Sequence, residues 1–365
     1  MRLKNVRFLC ALLLLGLGAF GQSATKVDND FVFNKERYSR KNVSLNHKNH
    51  KKADFPRLEK IEVVDARADS SCIGFRAKGS EKSNQLLQFQ YGLKKEFEDY
   101  FKGVINFARD TSGYSAVLVV RNYWINEFGV DEDDMDKFTD KRTGRFSSEK
   151  TALHATFDFY ITTGDKYFVA YRFDTLATAF ISIKDFADAY LGQILDGSLQ
   201  RLQMINPAEN IIGKRSFTRS ELYNYYAQRW DKPIMKVKTF EKGVYKNFAE
   251  FANNHPSISH FVVRKDKLAD VLYLPADNNE LVPARDVWGY SDGKNIFIKS
   301  GENYYLLVRV QNSFYFMGSK ELMKMQDEYY SYDPYTNMNM RSTSEPYLKN
   351  RLFPMRLDVE KGVAY

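Results

Sequence analysis

The chain has 365 residues, a formal net charge of +8 and an aromatic content of 15%. This length is sufficient for two hydrophobic cores, and the aromatic side chains supply bulky material to fill them. The positive charge is too small to indicate a nucleic-acid-binding protein, because such domains carry dense basic patches. We therefore expect a folded protein of two domains that has no nucleic acid as a partner.

Residues 1–21 have the order of a secretory signal peptide. Three basic side chains precede an apolar run at residues 8–20, which is shorter than the roughly 18 to 20 residues of a membrane-spanning helix. The small residues near its end predict cleavage after Gly21, with cleavage after Ala24 or an uncleaved amphipathic anchor as alternatives. We expect no transmembrane segment after signal removal, and an exported protein that is periplasmic, extracellular or on the cell surface.

The two cysteines restrict how the chain is held together. Cys10 lies inside the apolar run, not directly after a cleavage point, so lipid attachment is not expected. Signal removal leaves Cys72 alone, which excludes an intramolecular disulfide even in an oxidising compartment. We expect Cys72 to be a buried, inert thiol in a fold that depends on apolar burial.

Basic residues concentrate directly after the signal. Residues 34–60 contain nine Lys or Arg and three acidic residues, a local charge of +6 that exceeds the +5 of the mature chain. Such a polar stretch is typical of a solvated, poorly ordered arm, which we assign to residues 22–59. An electrostatic contact with anionic lipid or polysaccharide is the alternative.

Residues 60–205 have the pattern of an α+β domain, an antiparallel sheet with helices on one face. A helix capped by Ser83 is predicted from apolar side chains at helical spacing: Leu86, Phe89, Leu93, Phe97, Phe101 and Val104. A second helix is predicted before Asn206, with Phe186, Tyr190, Leu191, Ile194 and Leu202 inside. Strands are predicted at residues 60–66, 115–126, 153–162 and 167–173, the last two as a hairpin.

Residues 206–233 are interpreted as a connection with a short helix, and residues 234–317 as a β-rich domain. Asn247 and Glu250 predict a capping box for a helix at residues 248–254. Short strands with tight turns then predict a meander that closes into a small barrel or sandwich: residues 261–264, 271–274, 286–290, 295–299, 304–310 and 314–317. Residues 318–365 form a tail rich in Tyr, Met and Asn, from which residues 353–363 return as an edge strand.

One set of residues in the β-rich domain resembles a pattern in exported proteins of Bacteroidetes-type bacteria that have no assigned function. The set comprises Gly243-Val244-Tyr245, Phe248 through Phe251, Asn254, Pro256-Ser257-Ile258, Val287-Trp288-Gly289-Tyr290 and Asp292-Gly293-Lys294. This resemblance covers roughly a quarter of the chain. It implies a cell-envelope setting and supplies no catalytic residue.

The sequence at residues 289–293 matches the G-x-S-x-G pattern of a nucleophile elbow centred on Ser291. Such a serine acts from a sharp strand-to-helix turn. The residues that follow have a strand pattern, so we interpret Asp292-Gly293 as a hairpin turn.

Histidine pairs and an acidic run are the candidate metal ligands. His47 with His50, and His255 with His260, lack the three or four ligands of a zinc site. The acidic run comprises Asp131, Glu132, Asp133, Asp134, Asp136 and Asp140. It lacks the glycine and closing glutamate of an EF-hand, so a solvated loop is favoured over a weak calcium site.

No set of side chains predicts a catalytic, cofactor-binding or metal site. Tyr329, Tyr330, Tyr332 and Tyr335 suit either internal packing or stacking on sugars or peptides. The sequence thus favours a non-enzymatic binding or assembly module of the cell envelope, with an envelope protein or polysaccharide as partner. A hydrolase acting on envelope glycan or peptide through paired carboxylates is the alternative.

Overall fold

The computed structural model describes residues 32–45, 52–77, 84–108, 113–129, 149–265, 270–278, 280–301, 303–319, 331–332, 339–340 and 352–364. From Phe33 onward the chain belongs to one compact unit. The predicted signal peptide and the acidic run after Gly129 lie outside the described residues. None of the described helices has the length and apolar character needed to cross a bilayer.

Strands dominate the described residues and helices are few, which confirms the predicted α+β class with a β-rich meander. The strands are β1 (Ser39–Val43), β2 (Ala53–Asp54), β3 (Leu58–Asp65), β4 (Gly74–Ala77), β5 (Gln85–Phe89), β6 (Ile105–Asn106), β7 (Tyr114–Gly129), β8 (Glu149–Thr163), β9 (Lys166–Ala179), β10 (Ser216–Thr218), β11 (Gly243–Tyr245), β12 (Val262–Lys265), β13 (Asp270–Pro275), β14 (Leu281–Pro283), β15 (Gly289–Ser291), β16 (Ile296–Ser300), β17 (Asn303–Val310), β18 (Ser313–Ser319), β19 (Ser331–Tyr332), β20 (Asn339–Met340), β21 (Leu352–Asp358) and β22 (Val363–Ala364). The helices are α1 (Leu93–Val104), α2 (Ile183–Phe186), α3 (Gly192–Gln203), α4 (Pro207–Ile211), α5 (Arg219–Gln228), α6 (Pro233–Lys236) and α7 (Phe248–Ala252). A 3₁₀ turn forms at Lys35–Arg37, and a π-helical turn at Ala187–Leu191 joins α2 to α3.

The first sheet has the order β1-β5-β4-β7-β8-β9-β10, and β3 lies beside the first half of β7. Strands β7, β8 and β9 form antiparallel pairs, whereas β3 and β4 both run parallel to β7. Strand β3 pairs with the first half of β7 and β4 pairs with the second half. Residues 66–73 therefore connect two strands that lie end to end beside β7. Gly74 starts β4 where a Cβ would lie 1.9 Å from the carbonyl oxygen of Ile125, so only glycine permits this approach.

The predicted helix after Ser83 begins later than its apolar spacing indicates. Leu86 and Phe89 belong to strand β5, and α1 begins at Leu93 after Gly92, whose φ is +82°. Leu86 and Leu87 are consecutive and both buried, because β5 has a packed layer on each of its faces. A run buried on both faces carries no period that distinguishes a strand from a helix.

Both faces of the first sheet are covered. Helices α1, α2 and α3 pack on one face and bury the apolar side of β8, including Phe157 and Phe159. The second sheet and α5 cover the other face, through Trp124 and Tyr315 in one cluster and Val119 and Tyr226 in another. Much of the polar side of β8, including Thr156, Asp158 and Tyr160, is therefore also buried.

The second sheet has the order β11-β15-β16-β17-β18-β21-β22. Its neighbours are antiparallel throughout, and β15 to β18 follow one another as the predicted meander. The C-terminal residues return to this sheet, but not as the single edge strand predicted for residues 353–363: β21 lies between β18 and β22, and the short β22 forms the end of the sheet. Strands β12, β13 and β14 form a separate small sheet.

The residues on which the sequence-based resemblance rests, from Gly243 to Lys294, meet in one corner of the second sheet. Phe251 stacks on Trp288 with ring centroids 4.2 Å apart, and the hydroxyl of Tyr245 donates to Asn254 at 3.2 Å. A Cβ on Gly243 would lie 2.6 Å from the Pro256 ring, so β11 can pack this closely against the proline only with a glycine at this position. This set therefore has a packing role.

Part of the predicted arm is structured, contrary to the expectation for residues 22–59. Strand β1 pairs in parallel with β5, and Phe33 stacks on Tyr315 at 4.6 Å. Part of the positive charge of this segment is neutralised within the fold, because Lys35 forms an ion pair with the buried Asp69. His47 and His50 lie outside the described residues.

Candidate functional site

A groove with a volume of about 190 Å³ lies between the end of β3 and helix α5. One wall consists of residues 64–67, and the other carries Tyr223, Tyr226 and Trp230. Tyr223 is 45% exposed, so the groove opens to solvent at that ring.

Helix α5 is fixed by a complete cap and a short apolar stripe. The hydroxyl of Thr218 accepts from the amide of Glu221, and the Glu221 carboxylate accepts from the amide of Thr218 at 2.8 Å. Leu222 and Tyr226, one turn apart, are buried against the first sheet. Tyr223 therefore projects at the rim, where it lines the groove.

The opposite wall contains an ion pair with bidentate geometry. Nε and Nη2 of Arg67 donate to the two carboxylate oxygens of Asp65 at 2.8 and 2.7 Å, and Nη1 donates to the carbonyl of Cys72 at 2.7 Å. Burial alone would lower the pKa of Arg67, but the contact with Asp65 raises it. The buried guanidinium therefore stays charged, and it holds residues 66–73 in place.

Asp69, at the centre of the same loop, is fully buried and accepts several hydrogen bonds. Its donors are Lys35 Nζ at 2.5 Å, the Ser71 amide at 2.8 Å and the Tyr315 hydroxyl at 2.6 Å. Burial alone would raise the pKa of Asp69, but the bonds from Lys35, Ser71 and Tyr315 lower it to about 2. The carboxylate therefore joins the loop to both the N-terminal segment and the second sheet.

Lys35, Ser71 and Cys72 surround Asp69 and are residue types that can act in nucleophilic catalysis. Their geometry indicates a structural role instead. Ser71 Oγ donates to Asp69 at 2.6 Å and also contacts Lys35. A lysine that activates a serine must be neutral, whereas the ionised Asp69 pairs with the ammonium form of Lys35. Cys72 is buried as predicted, and burial raises the pKa of its thiol.

A second buried network lies beneath α5. The hydroxyl of Tyr226 donates to Asp158 at 2.7 Å and contacts the hydroxyl of Tyr160 at 2.9 Å. Nε of Arg172 donates to the other oxygen of Asp158 at 2.6 Å, and Arg121 Nη1 lies 3.4 Å from Asp158. The ring of Tyr226, which lines the groove, is thus held in place by the hydrogen bonds of its hydroxyl group.

The C-terminal turn reaches the end of α5. Glu360 accepts from Arg229 Nε at 2.9 Å and from Arg121. Burial alone would raise the pKa of Glu360, but the bonds from these two arginines lower it. The Arg229 guanidinium lies over the ring of Trp230, 4.6 Å from its centroid. The turn between β21 and β22 therefore contacts the aromatic wall through one arginine.

Ser291 does not occupy a nucleophile elbow. It is fully buried in β15, which pairs with β16 in the predicted hairpin, and its Oγ accepts from the amide of Gly293 at 3.0 Å. No helix follows the serine, which confirms the turn interpretation.

The described histidines are not brought together. His255 lies 3.6 Å from Glu241, His260 contacts Ser259, and His154 contacts Asp174 at 3.3 Å. Among the residues that the structure describes, no group of three or more His, Cys, Asp or Glu side chains is arranged to hold a metal. The acidic run from Asp131 and the tyrosines Tyr329, Tyr330 and Tyr335 lie outside those residues; Tyr332 lies in β19.

The sequence pattern does not predict the residues that line the groove. Residues 211–233 have no sustained period, although Thr218 with Glu221 and the spacing of Leu222 and Tyr226 are signals of a capped helix. The packing of this helix against the end of β3 depends on tertiary structure, for which the sequence carries no local signal.

Comparison of the chain with protein-family models, curated proteins and solved structures finds no match.

Proposed function

We propose that this chain is an exported, non-enzymatic binding module of the cell envelope, and that the groove between β3 and α5 receives its ligand. The observation that carries the proposal is that Tyr223, Tyr226 and Trp230 line one concavity together with Asp65, whose side chain is partly exposed. Ligand sites combine aromatic and apolar walls with a few placed polar groups. Tyrosine and tryptophan suit such walls because they are rigid and amphipathic.

The N-terminal sequence supports the location. Three basic residues, an apolar run and small residues in that order are typical of a signal peptide. The resemblance of the second sheet's corner to exported Bacteroidetes-type proteins agrees with this setting. The proposed partner is accordingly an envelope protein or polysaccharide, met in the periplasm or at the cell surface.

The charges around the groove favour binding over hydrolysis. A carboxyl group that acts as a general acid needs a raised pKa. Here Asp65 is paired with Arg67, and Arg229 with Arg121 lowers the pKa of Glu360. Glu360 is thus held ionised and Asp65 is occupied by Arg67, so neither is placed to supply a proton, and a glycan or peptide hydrolase is the weaker candidate.

The test is chemical cross-linking of the tagged mature protein in envelope fractions, followed by purification and mass spectrometry and glycan analysis. We expect one stoichiometric envelope partner with the wild type and with Tyr91→Ala, a control at a tyrosine that is 67% exposed elsewhere. The double variant Tyr223→Ala with Trp230→Ala should lose that partner. Equal recovery by the double variant, or no partner above background with the wild type, would overturn the proposal.

A further inference from the structure

We infer that the groove takes a neutral saccharide, with one pyranose ring between its two walls. This inference rests on the proposed function and specifies the ligand class of the same site. In this arrangement the ring's apolar C–H face lies on Trp230 and Tyr223, and a ring hydroxyl donates to Asp65.

The size of the groove suits a single six-membered ring. Its volume is about 190 Å³, and an apolar cavity of about 150 Å³ holds one benzene molecule. Because Tyr223 is partly exposed at the rim, neighbouring sugar units of a longer chain extend into solvent. A short contact of this kind fits an oligosaccharide end or branch.

The aromatic walls are unsuited to a cation. Arg229 lies over the rings of Trp230 and Tyr226, with centroid distances of 4.6 and 5.7 Å, and Arg219 lies 5.8 Å from the centroid of Tyr223. These rings already have a cation against them, so a second positive charge meets repulsion and gains little from the ring quadrupoles. A sugar carries no charge and still gains from contact with the ring surfaces.

The polar wall offers an acceptor and lacks an accessible donor. Asp65 accepts from the amide, Nε and Nη2 of Arg67, which leaves acceptor capacity on a carboxylate with about four lone-pair sites. The Asp65 side chain is 18% exposed, whereas that of Arg67 is fully buried and donates to Asp65 and to backbone carbonyls. This wall therefore favours a ligand group that donates a hydrogen bond.

This polarity favours a hydroxyl over the other common ligand groups. A carboxylate or phosphate only accepts hydrogen bonds, and its negative charge would be repelled by the Asp65 carboxylate at this wall. A peptide presents alternating N–H and C=O groups, and its carbonyls would lose water without finding a partner at this wall. A hydroxyl donates to Asp65 and keeps its own lone pairs toward solvent.

The test is a titration of the purified mature chain with neutral oligosaccharides, in which saturation-transfer-difference NMR detects binding. The saccharides are an oligomannoside, a β-glucan tetrasaccharide and triacetylchitotriose; the competing probes are an aromatic tripeptide and a lysine tripeptide. We expect at least one saccharide to bind with a millimolar or tighter Kd and to receive saturation at its ring C–H protons. Tyr223→Ala and Asp65→Asn should each weaken it about tenfold, a change of about 1.4 kcal/mol, and Tyr91→Ala should leave it unchanged.

The outcomes separate this inference from the proposed function. Binding of a tripeptide that depends on Tyr223, with no saccharide bound, overturns the ligand class and keeps the groove as a binding site. Saccharide binding that is unaffected by both Tyr223→Ala and Asp65→Asn places the sugar elsewhere and overturns the inference. Absence of binding by every probe up to the solubility limit overturns it as well, while the partner captured from envelope fractions tests the proposed function separately. Thermal unfolding of each variant confirms that a lost signal is not lost folding.

Discussion

The hydroxyl of Tyr315 donates a 2.6 Å hydrogen bond to Asp69, which joins strand β18 of the second sheet to the loop between β3 and β4 of the first. The two residues are 246 positions apart in sequence, and both are buried. Because the same loop carries Arg67, this bond connects the packing of the two sheets to one wall of the groove.

Replacement of Tyr315 by phenylalanine tests the contribution of this bond. A hydrogen bond to a charged group contributes about 1.5 to 3 kcal/mol, so Tyr315→Phe should lower the free energy of unfolding by that amount in urea titrations. Tyr91→Phe removes a solvent-exposed hydroxyl and is the control, with no expected change. Equal stability of Tyr315→Phe and the wild type would show that water replaces the donor.

The pKa of Asp69 predicts an acid-dependent loss of stability. The folded-state pKa is about 2, below the unfolded value of about 3.9. The stabilisation is therefore fully present above the unfolded pKa and is lost as the pH falls through the folded pKa. The advantage of the wild type over Asp69→Asn in unfolding free energy should shrink by about 2 kcal/mol between about pH 5 and pH 2.

Urea titrations across that pH range measure this difference, and a difference that does not change with pH would contradict the assignment. If Asp69→Asn does not fold, NMR titration of the wild-type Asp69 carboxyl carbon provides the same test. A midpoint near the ordinary aspartate value would be the contrary result.

Glu360→Gln tests the link between the C-terminal turn and α5. The variant leaves Arg121 and Arg229 without their shared carboxylate. Because Glu360 is partly exposed, we expect a loss of about 1 to 3 kcal/mol, less than for a fully buried pair. Hydrogen exchange should become faster at the end of α5, and Glu280→Gln, on an exposed turn, should change neither quantity.

Two glycines form a matched pair for backbone packing. Gly74→Ala places a Cβ against the carbonyl of Ile125 and should destabilise the chain severely or prevent folding. Gly197, inside α3, has no atom of another element within 4 Å of the position that a Cβ would take, so Gly197→Ala should be neutral or stabilising by up to about 1 kcal/mol. Thermal unfolding compares the two, and a mild effect at Gly74 would contradict the close approach of β4 to β7.

The sequence predicts elements well where one face is apolar. The alternation at residues 153–162 identifies β8, and the apolar positions Phe186, Leu191 and Leu202 identify the α2–α3 segment. The prediction fails at β5, where Leu86 and Leu87 pack into different cores. Apolar periodicity predicts an element when one of its faces is buried. It does not distinguish a strand from a helix when both faces of the strand are covered.

The groove depends on information that is not local. Asp158 and Thr156 lie on the polar side of β8 and suggest a solvated face, yet both are buried because α5 and the second sheet cover them. Asp158 is stable there because Arg172 on the neighbouring strand β9 and Tyr226 on α5 donate hydrogen bonds to it, and Thr156 is hydrogen-bonded to Asp174. The position of Asp65 opposite Trp230 likewise follows from helix–sheet packing.

Site-specific photo-cross-linking shows directly whether the groove contacts an envelope ligand. A photoreactive phenylalanine analogue replaces Tyr223 in one protein and Tyr91 in another, and each is irradiated in intact envelopes. We expect a defined adduct from position 223 that disappears in Trp230→Ala, and no adduct from position 91. Adducts of equal yield from both positions, or none from position 223, would contradict it.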